Sequence, residues 1–227
     1  MCGRFVLMTV GRDIADHFQL SEEPELEPRY NIAPTQMVAV VRLDDETARR
    51  KLRLVKWGLI PFWEKDTSIG SRLINARAET AADKPAFRAA FKYRRCLVPA
   101  DGFYEWKRLE KKRQPYFFGS SDNKPLAFAG LWERWEGPDG EVIESCTVLT
   151  TESNELLQPI HDRMPVILKV EDYDLWLDPT VKKPELLKPL LKPYPSEEMT
   201  GHPVTSKVNK AAYEGPDCIK RVDVNED

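Results

Sequence analysis

The stretch Arg95-Cys-Leu-Val-Pro-Ala-Asp-Gly-Phe-Tyr-Glu-Trp-Lys-Arg108 decides the fold class. It is crowded with aliphatic and aromatic residues that suit a pleated, half-buried surface. In its second half Phe103, Glu105 and Lys107 fall on one face of a strand, with Tyr104 and Trp106 on the other. Further β-rich runs follow at 114–118 (QPYFF), 125–135 (PLAFAGLWERW) and 144–151 (ESCTVLTT), separated by polar or Gly-Pro-Asp-Gly turns. Upstream, Met37–Leu43 and residues 51–58 read as a hairpin around the acidic turn Asp44-Asp45-Glu46. Helical patterns are shorter, at 10–18, 84–93, 154–158, 171–177 and 184–191. Strands joined by short turns favour antiparallel pairing. The expected architecture is a single α+β domain over residues 2–227. Its core is a mostly antiparallel twisted sheet or open β-barrel-like sheet, with flanking helices.

Composition sets the classes that remain. The 227 residues are 41% hydrophobic, enough for a real core, and no apolar run is long enough to cross a bilayer. The start, MCGRFVLMTVGRD, lacks the parts of a secretory signal. Cys2, Cys96, Cys146 and Cys218 show neither a CxxC nor ligand-like spacing to histidine, which argues against a disulfide framework and structural zinc. A cytoplasmic, metal-free and cofactor-free protein is expected. The net charge of −3 conceals an asymmetry. Residues 70–113 hold twelve Lys and Arg against five Asp and Glu, whereas 135–200 hold six against fourteen. One basic surface can then face a polyanion while the rest repels it, although a lysine-rich solvated face gives the same count.

The chemistry begins at the terminus. Cys2 is small enough for Met1 to be removed, and the product carries an amine and a thiol on adjacent carbons. The amine titrates near ~7.7–8.0 and the thiol near ~8.5, so neither is unusually reactive alone. Together they condense with an aldehyde, first to an imine and then, by intramolecular thiol attack, to a five-membered thiazolidine. Gly3 permits close approach of the backbone. Two other readings start from the same residues: an ordinary buried cysteine, and an N-terminal-nucleophile amidotransferase.

Four further segments separate these readings. They are Arg29-Tyr-Asn31-Ile-Ala-Pro34, Leu73-Ile-Asn75-Ala-Arg77-Ala-Glu79-Thr, Ala100-Asp-Gly-Phe-Tyr-Glu105-Trp-Lys and Ile160-His161-Asp162-Arg163-Met-Pro165. With MCGRF they resemble, in order, the SRAP (SOS-response-associated peptidase) family, and the resemblance runs from Cys2 to the His202-Pro-Val-Thr-Ser-Lys-Val-Asn209 segment. It implies covalent capture of abasic sites in single-stranded DNA during the DNA damage response, with a lyase side activity. The catalytic set it implies is Cys2, Asn75, Glu105 and His161. In that set Glu105 is the acid/base at the sugar and imine, His161 a proton donor, and Asn75 a hydrogen-bonding anchor. Arg4, Arg77 and Arg163 are the implied phosphate ligands. Pro34 and the Phe62-Trp63 corner are the implied wedges against bases, either aromatic being able to stack. The implied partner is DNA alone, with no membrane or metal, bound by a monomer. Two rivals stand beside this: a thiol autopeptidase acting on its own terminus, and a noncovalent single-strand binder.

Overall fold

The computed structural model describes residues 2–110 and 112–223. Met1, whose removal is expected above, lies outside the described residues, as do Lys111 and the last four positions. In chain order the elements are β1 (Phe5–Leu7), α1 (Gly11–Phe18), β2 (Arg29–Ile32), β3 (Met37–Leu43), β4 (Arg50–Trp57), β5 (Asn75–Arg77), α2 (Ala78–Ala81), α3 (Pro85–Tyr93) and β6 (Arg95–Ala100). They continue with β7 (Gly102–Arg108), β8 (Arg113–Ser120), β9 (Leu126–Glu136), β10 (Val142–Glu152), β11 (Arg163–Pro165), β12 (Ile167–Leu168), α4 (Tyr173–Leu177), α5 (Pro184–Leu187) and β13 (Met199–Pro203).

Two sheets form. The expected hairpin is present, with β3 and β4 antiparallel from Met37↔Lys56 to Leu43↔Arg50. β3 also pairs with β6, β6 with β9, β9 with β10, and β10 with β4, so these five strands close into a ring. The barrel is therefore closed, and its closing seam β10–β4 is parallel. The second sheet, in the order β13-β8-β7-β1-β2, is antiparallel throughout. It lies on the barrel through edge-to-face aromatic contacts, Phe5 with Trp57 at 5.1 Å and Phe103 with Phe128 at 5.9 Å between ring centres. The result is one α+β domain with a few flanking helices.

Local chemistry explains most of the elements. α3 starts where Pro85 presets the first helical turn and leaves Lys84 extended. The expected helix at 154–158 is instead a run of turns. The Asn154 side-chain oxygen accepts the Leu157 N–H, and Pro159 has no N–H to continue a helix. Within β7 the alternation places Phe103 and Glu105 toward the barrel. Val6, Tyr104 and Phe117 form a smaller core on the other face, capped by Val204, Val208 and Cys218. Asp101 ties the entry to β7 by accepting from Met8 N–H at 2.5 Å and Thr9 N–H at 2.8 Å. Among the described residues no helix is long and apolar enough to cross a membrane.

One glycine is required by close approach. A Cβ on Gly102 would sit 2.4 Å from both Phe117 Cζ and the Phe118 carbonyl oxygen. Gly102→Ala is expected to lower unfolding free energy by about 3 kcal/mol through overpacking, measured as a lower urea midpoint at constant m-value. An unchanged midpoint would mean that this strand pair has room to give.

Candidate active site

The end of β10 carries two short strands beyond the barrel. β5 pairs on one edge (Val148↔Asn75, Thr150↔Arg77) and β11 on the other (Thr150↔Pro165, Glu152↔Arg163). From β5 the Asn75 side chain reaches the segment that leads into β1. The 73–75 segment is held by three bonds: Leu59 N–H to Leu73 O (3.1 Å), Trp57 Nε1 to Ile74 O (2.9 Å) and Val148 N–H to Ile74 O (3.1 Å). So anchored, Asn75 donates from Nδ2 to the Cys2 carbonyl at 2.8 Å.

A residue so close to a terminus is ordinarily loose, but Cys2 is 0% exposed with Met1 still attached. The reason is tertiary. Asn75 holds its carbonyl, and the chain enters the sheet two residues later, where Tyr104 N–H donates to Arg4 O at 2.9 Å. Burial, and then the negative charge of Glu105, push the Cys2 thiol up to about 12. At neutral pH the sulfur is a neutral thiol.

Glu105, 3% exposed, is likewise buried, and that burial raises its carboxyl above the ordinary value, with His161 acting in the opposite sense. Glu105 thus acts electrostatically on the Cys2 thiol and is itself acted on by His161, and Asn75 touches Cys2. His161 Nδ1 accepts the backbone N–H of Arg163 at 3.0 Å. The exposed Asp162 carboxylate also lies 3.0 Å from Nδ1 and would need a proton there. A backbone N–H can only donate, so we assign the lone pair to Nδ1 and the proton to Nε2.

Glu105→Gln tests the electrostatics without reference to activity. A raised folded-state pKa means the ionised form is disfavoured in the fold. The resulting penalty is absent below the unfolded value of about 4.3 and grows as pH rises through the folded value. The Gln variant is therefore expected to melt higher at neutral pH, by about 2–4 °C for each kcal/mol relieved, and equally with wild type near pH 4. A lower melting point at pH 7 would show that the carboxylate is net stabilised where it lies.

The basic residues divide. Arg163, expected at phosphate, is engaged by protein: both guanidinium ends meet the Glu79 carboxylate at 2.6 and 2.9 Å, and Nη2 donates to Thr150 O at 2.6 Å. Arg4 turns to Asn31 Oδ1 at 2.7 Å and Val208 O at 2.8 Å. Asn31 in turn donates to the carbonyls of Val208, Lys210 and Tyr213, pinning the 208–213 segment against β2. Of the three arginines only Arg77 is exposed. It lines, with Glu152, Ser153, Gln158, Asp162 and Arg163, an open polar cleft of about 390 Å³. Phe62 and Trp63 are the central residues of a turn closed by Glu64 N–H to Pro61 O at 3.0 Å, and they are 56% and 50% exposed. Pro34 is half-buried, beside the left-handed Thr35 whose N–H bonds Trp57 O at 2.8 Å. Asn31 and Glu79, which orient the arginines, were not among the expected site residues. Both lie inside the quoted motifs, so their signal was present without a role attached.

Comparison with known proteins gives consistent matches. A family sequence model described as SOS response associated peptidase (SRAP) matches residues 1–211. The chain is 43% identical over 224 residues to "Abasic site processing protein YoqW" of Bacillus subtilis, covering 97% of this chain and 99% of that one. It is 33% identical over 234 residues to "Abasic site processing protein HMCES" of Xenopus tropicalis, covering 88% and 68%. A crystal structure of a protein from Bacteroides thetaiotaomicron superposes with a TM-score of 0.87 at 27% identity, over 97% of this chain and all of that one.

Proposed function

Because the chain belongs to the SOS response associated peptidase (SRAP) family, we propose that it captures abasic sites in single-stranded DNA covalently through Cys2. Its relatives are abasic site processing proteins, and handling of abasic sites is the activity it shares with them. The observation that supports the finer reading is the buried Cys2, its carbonyl held by Asn75 and its thiol in the field of Glu105, on which His161 acts in turn.

Removal of Met1 turns the Cys2 nitrogen from an amide into an amine and takes away the residue bonded directly to it. Glu105, its carboxyl raised by burial, accepts and returns protons and promotes opening of the sugar to its aldehyde. The neutral amine then adds to the carbonyl carbon. Water leaves from the carbinolamine with a proton from the Glu105 carboxyl while the His161 Nε2–H hydrogen-bonds the departing oxygen, giving the iminium. The Cys2 sulfur next bonds to that carbon, the C=N electron pair returns to nitrogen, and the thiol proton passes to Glu105. A thiol held neutral by burial suits this order, since sulfur is needed only after the electrophile has formed. The same neutral thiol opposes a peptidase reading, which asks for a thiolate at the outset.

On the nucleic-acid side, Arg77 and the 390 Å³ cleft supply the accessible phosphate contact. Phe62 and Trp63 offer exposed stacking surfaces, and the half-buried Pro34 is the remaining wedge of this reading. Arg4 and Arg163 act in this reading by bracing the walls, and reach phosphate only by exchanging their present partners. The test is denaturing electrophoresis of the mature protein with an abasic oligonucleotide and with the intact strand. A band surviving denaturation with the abasic strand alone is expected, its mass the sum of the components less one water. Equal bands with both strands, or none with either, would overturn the covalent reading.

A further inference from the structure

A second basic surface lies away from Cys2, on the far end of α3. Arg88 and Lys92 sit one helical turn apart on one face. They line a cavity of about 400 Å³ with Lys182, over a floor of Ala82, Ala89 and Pro184. Among the described residues no carboxylate lines it, and none of the three cations is in an ion pair. Asp83 and Glu185 are exposed nearby but stand outside it. Beside the cavity Tyr93 is 45% exposed, with the Lys92 ammonium 5.1 Å and the Lys182 ammonium 5.3 Å from its ring centre. Lys182 comes from the acidic half of the chain, so folding adds it to a patch that the basic segment began.

We infer that this surface binds the single strand flanking the lesion, with Tyr93 stacking on a base and Arg88, Lys92 and Lys182 on phosphates. An exposed aromatic between cations, beside a groove without carboxylates, matches what an unpaired polynucleotide offers: a π-face beside every negative charge. An acidic peptide would satisfy the cations but leave the ring unused. The placement fits the proposed site, on whose reading this inference rests. Arg95, two residues past Tyr93, pairs with Leu131, Leu131 with Thr147, and the adjacent Val148 with Asn75. Arg95 and Asn75 are thus three strand spacings apart along the sheet, about 14 Å, a path on the scale of a few nucleotides.

The experiment compares wild type with a Lys92→Glu/Lys182→Glu double variant and with Tyr93→Leu, a substitution at an exposed position. Affinity for an intact strand of about 16 nucleotides is measured against salt. Crosslinking is measured in parallel on an abasic trimer with a single nucleotide on each side. We expect the double variant to bind the long strand at least about 10-fold more weakly, its log–log salt slope shallower by about 1.4 for two lost contacts. Tyr93→Leu should lose affinity without a change of slope, and both variants should crosslink the trimer at the wild-type rate. Unchanged affinity and slope in both variants would overturn the inference, as would an equal loss on trimer and long strand. Acidic peptide competing for the wild type as well as the oligonucleotide does would also overturn it. If wild type binds the strand through this surface yet never forms an adduct, the covalent reading fails and this one stands.

Discussion

A Cys2→Ala variant is expected to lose the denaturation-resistant adduct with abasic DNA, replacing it by a linkage that hydrolyses and by some strand cleavage. Alanine keeps the terminal amine, so the imine still forms, but no sulfur is available to close on it. An imine equilibrates with water. The thiazolidine resists because its ring closure is intramolecular, and such closures carry effective concentrations of about 10⁵ M or more. Adduct remaining after heating should therefore fall at least about 100-fold, well below that large intramolecular advantage. An open imine also acidifies the neighbouring sugar carbon, so β-elimination and a shortened labelled strand should follow. The measurement is a time course of heat-treated adduct and of cleaved strand on one gel. A variant giving as much heat-stable adduct as wild type would show that ring closure contributes nothing.

Retention of any residue before Cys2 is expected to abolish the adduct altogether. An N-terminal extension that processing cannot remove leaves the Cys2 nitrogen an amide, whose lone pair is delocalised into the carbonyl and does not attack aldehydes. Intact mass of the protein, paired with adduct yield, checks this. Proteolytic release of the extension should restore the yield in the same sample, which separates a blocked nucleophile from a misfolded one. Crosslinking by a protein whose mass proves an uncleaved extension would remove the terminal amine from the chemistry.

Part of the candidate site's geometry was legible in particular residues. The 103–107 alternation placed Glu105 on one face of a strand with Phe103, and that face proved to be the one turned to the barrel. Asn75 and His161 were named only through the family resemblance of their motifs; the structure adds that each motif also carries residues that hold it, such as Leu73-Ile74 around Asn75. The arginines were harder. A guanidinium fork grips a carboxylate as readily as a phosphate, and nothing local to residue 163 reveals that Glu79, on the other side of β10, takes up both of its ends. The turn region at 154–158 misled for a related reason: its helical spacing is real, but the Asn154 side chain and Pro159 end the run before a helix can form.

By itself the amino-acid order determined what depends on near neighbours: which of the longer runs become strands, which face β7 presents, and which reactive groups the chain owns; the short strands β1, β2, β5, β11, β12 and β13 were not read from it. Folding alone decided the closed five-strand ring with its parallel seam, the burial of Cys2, the protein partners of Arg4 and Arg163, and the arrival of Lys182 beside Tyr93. The physical reason is range. Side-chain alternation and turn chemistry act over a few residues, while burial and charge pairing depend on which distant segments the sheet register brings within a few ångströms of one another.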